Sequence, residues 1–323
     1  MKSIIKYVFM YYPIINIITL IVMFEWYNVG RHIWQIINNP ITRISQIIHW
    51  LFKKRSITTK WWGKPISLML CVIGWYLGLS LHNWFNCTRF GWILELITAS
   101  MLLAYKNMFT HVTNVLDQLY STDLELCKYK LSSVVSKTVI DLDEHGICNS
   151  LLLSLTENFS DGLLLPLFYY LIAGLPGLLL YKTSDLVDSM FGNFKTSNTT
   201  LSLNICKIDS IMTAFPCFVL VFISNLIKLV KNNNVNIFDL LNPQQWSIHY
   251  LVLKIMSWLG VKIKTGGNYG KLHVIGKQFN NNGHLPNAID IIRLKIILCT
   301  FVMILMVTTV IIKQTCFNTL IKK

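Results

Sequence analysis

The sequence predicts an all-α, polytopic helical membrane protein with amphipathic surface helices and a helical extramembrane region. Its composition, the length of its uncharged runs and the basic residues beside them carry that expectation. Apolar residues make up 53% of the chain and charged residues 14%, whereas a soluble domain carries about a quarter charged. Water is therefore not its main solvent. A helix needs about 20 predominantly apolar residues to cross the hydrocarbon core of a bilayer. The stretches Val8 to Phe24, Ile66 to Leu81, Trp92 to Leu103, Gly162 to Tyr181, Ile211 to Ile227 and Ile296 to Ile312 approach or meet that length. Five or six spans are expected, the third of them short.

The first run follows Lys2 and Lys6 and leads into Glu25, Trp26 and Tyr27 with no small-residue cleavage site, so it is expected to stay as a span. The formal net charge is +14. Lys53, Lys54, Arg55, Lys60 and Lys64 flank the second span, and Lys254, Lys262, Lys264, Lys271 and Lys277 lie between the last two. Positive loops beside spans meet anionic lipid headgroups. They do not form the single basic face with interleaved aromatics that nucleic acid requires, so the expected partner is membrane lipid and no nucleic acid. Eight cysteines without C-x-x-C spacing and eight histidines without H-x-x-H spacing point to neither a disulfide framework nor a zinc site.

The whole chain, 1–323, reads as one membrane domain. Ile41, Ile44, Ile47, Ile48 and Leu51 recur at helical spacing and predict a helix lying on the membrane surface. Met108, Val112, Val115, Leu116 and Leu119 predict a second amphipathic helix. Thr122-Asp123-Leu124-Glu125 is a capping-box pattern that opens a third, with Leu124, Cys127, Leu131, Val134 and Val135 as its stripe. Together these make residues 106–158 the extramembrane helical region, which also holds seven of the 15 acidic residues. Residues 231–293 read as a polar loop region containing a short hairpin around Lys262 to Val274.

Four polar constellations stand out. In Glu157-Asn158-Phe159-Ser160-Asp161-Gly162 the two carboxylates are four apart, which a continuous helix would place on one face; a plainer reading makes Ser160 or Asp161 the cap of a helix entering the membrane. Lys182, Asp185 and Asp188 fall on one side of a helix that Gly192 ends. Carboxylates with a lysine are the hard oxygen donors and point charge that a Mg²⁺–nucleotide site uses, although an exposed ion pair explains them too. Lys207 and Asp209 add a charged pair before the fifth span. Gly266-Gly267-Asn268-Tyr269-Gly270-Lys271 resembles a phosphate-cradling loop but lacks the spacing and the Ser or Thr of a P-loop.

Read in order, these stretches resemble the CobD/CbiB family of cobalamin-biosynthesis membrane proteins. Glu157, Asn158, Ser160, Asp161 and Gly162 are followed by Pro166, by Gly174-Leu175-Pro176-Gly177, by Tyr181, and by Asp188, Met190 and Gly192, with Asp209 and Pro216 beyond. The chain departs from the family pattern where the usual Arg-Asp is Lys137-Thr138, and at Asp185, Leu201-Ser202, Ser210 and Phe218. The resemblance implies a multi-pass protein of the bacterial inner membrane. It further implies ATP-dependent amide formation between a propionate of adenosylcobyric acid and aminopropanol or its phosphate, with ATP and Mg²⁺ and, as further partners, other corrinoid-assembly membrane proteins. It would make Glu157, Asp161, Asp188 and Lys182 catalytic, and Glu157, Asp161 and Asp188 metal ligands. Asn158, Ser160, Asp185, Lys207 and Asp209 would bind substrate. Gly266, Gly267, Gly270 and Lys271 are the residues expected at the nucleotide.

A non-catalytic sensor of the same fold and a transporter are the competing classes; against transport stand the lack of a duplicated half and of a buried charge within a span. One physical expectation separates the ligase reading from a simple bundle. A straight helix from Gly162 to Tyr181 would put its polar flanks on opposite sides of the membrane. Gly174, Pro176 and Gly177 are therefore expected to break the segment into a kinked or re-entrant pair.

Overall fold

The computed structural model describes residues 63–103, 105–121, 123–192, 207–219, 248–269 and 272–321. The expected first span, the surface helix at 41–51, the basic cluster from Lys53 to Lys60, Leu201-Ser202, and Gly270 and Lys271 lie outside them, as does the second half of the expected fifth span. In order, the chain forms α1 (Gly63–Asn86), α2 (Gly91–Leu102), α3 (Tyr105–Tyr120), α4 (Leu124–Ser132), α5 (Glu144–Phe159), a π-helical turn (Ser160–Leu164) and α6 (Leu165–Gly192). Then follow α7 (residues 207–219), α8 (Ile248–Leu259), strands β1 (Ile263–Lys264), β2 (Gly267–Tyr269), β3 (Leu272–Val274) and β4 (Gln278–Phe279), and α9 (Ala288–Ile321). These pack as two compact units, one of residues 1–106, 162–209 and 298–323, the other of 107–161 and 210–297.

In the first unit, α1 buries only a narrow stripe of Ser67, Cys71, Gly74, Gly78 and Phe85, while Leu68, Met69, Ile73, Tyr76 and Leu77 are exposed. Its inner face is made of small residues so that α6 can approach its backbone, as in packed membrane helices. A Cβ on Gly74 would lie 2.3 Å from Thr183 Oγ1, and one on Gly78 would lie 2.5 Å from Pro176 Cα. Among the described residues, two helical stretches are long and apolar enough to cross a membrane, Ser67–Asn86 and Glu144–Ser189.

The second stretch is not one rod, because α6 breaks at Gly174, with φ 63° and ψ −148°. Only glycine adopts that backbone region readily. Pro176 falls in the first turn after the break, where a missing N–H costs little. The break is a fold-back. A Cβ on Gly177 would sit 2.3 Å from the carbonyl oxygen of Tyr169, whereas eight residues of unbroken helix would separate them by about 12 Å. Tyr169 and Tyr181 stack with ring centroids 5.4 Å apart. The expected break in Gly162 to Tyr181 is thus present.

One expectation for the apolar spans is corrected. Glu95, inside the short apolar helix α2, is 6% exposed and accepts a hydrogen bond from the Tyr170 hydroxyl at 3.0 Å. His82 Nδ1 on α1 lies 3.4 Å from its other oxygen. An ionisable group is therefore buried within the apolar run expected as the third span, which removes one of the two arguments against transport.

The second unit is built around α5, whose Ile147, Leu151, Leu152, Leu155 and Phe159 are fully or almost fully buried with Val112, Val115 and Leu116 of α3 and Cys127 and Leu131 of α4. The amphipathic stripe expected for α3 is this core face. α4 begins one residue later than a Thr122 cap implies: Asp123 accepts the Leu126 N–H at 3.0 Å. Asp143 likewise caps α5 through the Gly146 N–H at 2.8 Å.

The described part of the 231–293 region is not only loop. It contains α8, which buries Lys254, and two nested antiparallel ladders. β2 pairs with β3 from Gly267↔Val274 to Tyr269↔Leu272, and β1 pairs with β4 through Ile263↔Phe279 and Lys264↔Gln278. The expected hairpin is therefore present but longer, and the fold is helical with a small β element, not purely all-α.

Replacing Gly78 by Leu forces a side chain into the Pro176 backbone, which has no rotamer with which to yield. We expect a loss of about 1–3 kcal/mol, read as a lower thermal midpoint of the detergent-purified protein, while Leu77→Ala on the exposed face leaves the midpoint unchanged.

Candidate functional site

The signature stretch does not start a helix; it continues one. Ser160 is 2% exposed and its hydroxyl donates to the Thr156 carbonyl at 3.0 Å, which overturns the cap reading of Ser160 and Asp161. The π-helical turn over Ser160–Leu164 carries the helix on from α5 into α6, so Ser160 and Asp161 are interior positions of a continuing helix. Asn158 Nδ2 donates to the Ser154 carbonyl at 2.8 Å and lies 2.9 Å from the Ser154 hydroxyl, which reaches the Val134 carbonyl at 3.2 Å. These bonds tie the end of α5 to the loop that follows α4.

That loop carries Lys137, and the hairpin closes over it. Asn149 clamps Lys264 from both sides, Nδ2 to its carbonyl at 2.8 Å and its N–H to Oδ1 at 3.0 Å. The Thr138 N–H donates to the Asn268 carbonyl at 2.7 Å. Gly266 has φ +81°, and a Cβ there would lie 2.6 Å from the Val274 carbonyl oxygen; Gly267 has φ +141° and faces the Lys137 stem.

The result is a cavity of about 270 Å³ lined by Lys137, Ser154, Glu157, Asn158, Thr265 and Gly266. A second cavity of about 570 Å³ shares Lys137 and Gly266 and adds Gly267. Burial pushes the Lys137 ammonium below the ordinary lysine value, with Glu157 opposing the shift. Lys137 was not among the residues expected at the site; its only signal in the sequence was its place opposite the family's Arg.

The first unit gathers the other charged residues. Lys182 pairs with Asp185, and the Ser184 hydroxyl donates to Asp209 Oδ1 at 3.3 Å. Burial raises the Asp209 carboxyl to about 7, and repulsion from Asp188 and Asp185 adds to the shift. The Ser184 hydrogen bond and Lys182 act against it.

The expected residues thus fall into two groups. Glu157, Asn158, Gly266 and Gly267 belong to the cavities of the second unit, and Lys182, Asp185, Asp188 and Asp209 to the acidic cluster of the first. Lys207 is exposed and Asp161 half-buried. Among the described residues, no three His, Cys, Asp or Glu side chains converge as a metal cage.

Apolar helices, one of them broken, with charged, ligand-sized cavities define a helix-rich protein with candidate membrane spans. Residues 24–250 match the family model "CobD/Cbib protein", and the chain belongs to that family. It is 41% identical over 132 residues to the cobalamin biosynthesis protein CobD of Sinorhizobium fredii, covering 41% of this chain and 40% of that one. It is 32% identical over 168 residues to CobD of Rhizobium meliloti, covering 50% and 51%. A longer alignment, 27% identical over 214 residues, joins it to CobD of Brucella anthropi, covering 63% and 64%. The chain thus aligns with between two fifths and two thirds of the length of these relatives. No solved structure matches it.

Because the folded carboxyl of Asp209 titrates above its unfolded value, the stability it contributes is complete below about pH 4, the unfolded value, and is lost as pH rises through about 7. Asp209→Asn should therefore flatten the fall in thermal midpoint between acidic and mildly alkaline pH. A variant whose pH profile overlays the wild type would show that Asp209 does not titrate there.

Proposed function

We propose that this chain is a membrane-embedded enzyme of cobalamin biosynthesis that uses ATP to join aminopropanol, or its O-phosphate, to a propionate of adenosylcobyric acid. The product is adenosylcobinamide or its phosphate. Family membership and the names of the relatives support the pathway. The observation that carries the chemistry is the cavity in which a half-buried lysine, Lys137, meets Glu157 and Asn158. Candidate spans, the fold-back of α6 and the apolar outer face of α1 support a multi-pass setting in the inner membrane.

A carboxylate does not react with an amine until one oxygen becomes a leaving group. In the proposed reaction a propionate oxygen attacks the γ-phosphorus of ATP and ADP leaves. The amine lone pair then attacks the acyl carbon and phosphate leaves, while the amine proton passes to a base. Glu157 attracts the incoming ammonium and takes the proton whose loss frees the lone pair, and the second proton, released as the amide forms, leaves on the departing phosphate. Lys137 neutralises the propionate and the departing phosphate, and Asn158, held by Ser154, orients the acyl group.

Mg²⁺ would neutralise phosphate charge. It is usually held by one or two carboxylates together with phosphate oxygens; Glu157 and Asp161 of the second unit would be donors of that kind, and Asp188 of the first unit a separate one. Lys182, Asp185, Lys207 and Asp209 are assigned to substrate charge, and Gly266 and Gly267 to the nucleotide. Transport is the second reading, favoured by the buried Glu95.

In a bacterium deficient in cobinamide synthesis, wild type should restore growth on medium lacking complete corrinoids, and Glu157→Gln and Lys137→Met should not. In membranes each should lower ligation by about 10²–10⁴-fold, and Asp161→Asn and Asp188→Asn should abolish it. Glu95→Gln should leave ligation intact. Full turnover in Glu157→Gln would remove that residue from the mechanism.

A further inference from the structure

One buried carboxylate takes no part in the chemistry above. Glu95 of α2 faces Tyr170 from α6 and His82 from α1, all within the first unit. A plain account makes the three a clamp between helices. Such a clamp uses only Oε1, which takes the Tyr170 hydroxyl at 3.0 Å, and a neutral amide oxygen would serve it as well.

The other oxygen asks for more. Oε2 lies 3.4 Å from His82 Nδ1, and Nδ1 is itself buried and makes no hydrogen bond among the described residues. A bare Nδ1 beside an ionised carboxylate would set two lone pairs against each other away from water, where such repulsion is least screened. The contact is favourable only with a hydrogen on the line between them, carried by the nitrogen or by the oxygen. The other charged groups described on these helices and the turn joining α1 to α2 are engaged elsewhere. Arg89 lies over the Phe90 ring, 5.9 Å from its centroid, Lys182 pairs with Asp185, and Asp185 and Asp188 act on Asp209.

The donor set identifies the ligand. A hard metal cation calls for about six oxygen donors, whereas here one carboxylate oxygen is left over and its partner is an imidazole nitrogen. Those are the two atoms between which a proton passes.

The arrangement also supplies a route. The Glu95 side chain is 8% exposed and that of His82 is 38% exposed. With Nδ1 turned toward Glu95, Nε2 lies on the opposite edge of the ring. Around His82, the exposed Asn83, Asn86, Thr88 and Arg89 alternate with the exposed rings of Trp84, Phe90 and Trp92. Exposed aromatic rings among polar groups mark the headgroup level of a bilayer, where water reaches an imidazole. Glu95 stands about one turn into α2, behind that ring.

We propose that Glu95 is a proton-binding site of the first unit and that His82 loads and unloads it. In loading, a hydronium ion gives its proton to Nε2 and leaves as water. The Nδ1–H bond breaks and that proton forms an O–H bond on Oε2. The pair passes from a charge of minus one to zero, and Nδ1 ends as the acceptor of the new O–H. Unloading is the reverse. Tyr170 is a positioning residue that holds Oε1 throughout. The site rests on neither the ligase nor the transport reading.

The test is infrared spectroscopy of the full chain in phosphatidylcholine nanodiscs, as wild type minus Glu95→Gln. The difference should contain a carboxyl band that gives way to carboxylate bands as pH rises. After a jump in pH or transfer to heavy water, His82→Ala should approach the new spectrum at least about tenfold more slowly than wild type, and added imidazole should restore the rate. Tyr170→Phe should move the carboxyl band, which loses a hydrogen bond, and leave the rate unchanged; this variant identifies the band without altering Glu95. A difference spectrum that does not change with pH, or that follows sodium at fixed pH, overturns the binding site. An exchange rate in His82→Ala equal to that of wild type overturns the role of His82.

Discussion

The first unit depends on one backbone event, the reversal of α6 at Gly174. A helix that breaks in apolar surroundings leaves carbonyl and N–H groups without intrahelical partners, and it persists only where neighbours approach closely enough to exclude lipid from them. Gly74 and Gly78 let α1 come against the second arm at Thr183 and Pro176. Tyr170 fastens the first arm to Glu95 on α2, and Gly177 lets the arms themselves meet at Tyr169. Each contact needs either the absence of a side chain or one hydrogen bond made away from water. The Gly-Leu-Pro-Gly stretch and the small face of α1 are thus two halves of one packing solution.

The second unit solves a different problem, that of holding a flexible cation in place. Lys137 lies on a loop, where ordering a long side chain costs entropy. The loop is fixed at Thr138 by the hairpin and at Val134 by Ser154, and the hairpin is fixed to α5 by Asn149. Asn149, Ser154 and Asn158 come from successive turns of α5, so a single helix aligns the hairpin, the loop and the signature residues. That shared support puts Glu157 and Lys137 at one cavity.

The sequence made visible what is periodic or locally strained. The face of α3, the end of α6 at Gly192 and the break at Gly174 follow from helical spacing or from the permissiveness of glycine, whereas only Cys127 and Leu131 of the stripe expected for α4 are buried on it, since Leu124 is exposed and Val134 and Val135 lie beyond its end at Ser132. Lys137 did not show itself, because its neighbours Gly266 and Gly267 are remote in the chain and no short-range pattern links them. Glu95 was hidden inside an apolar run, where one carboxylate hardly changes the average and only the Tyr170 contact shows its role. The π-helical turn left no mark of its own, because a spacing of four between polar residues is compatible with either helical repeat. The outer ladder of the hairpin has only two residue pairs, too few for strand alternation to register.

The fold-back of α6 also bears on how the chain threads a bilayer. On the multi-pass reading proposed above, an apolar helix that returns at its midpoint would contribute no crossing, so whatever precedes Gly162 and whatever follows Tyr181 would share a compartment as far as this element is concerned. Counting hydropathic segments would assign them to opposite compartments and would invert the inferred sidedness of every loop downstream. Chemical labelling of introduced cysteines, read against a simple segment count, would differ by one transit at this point.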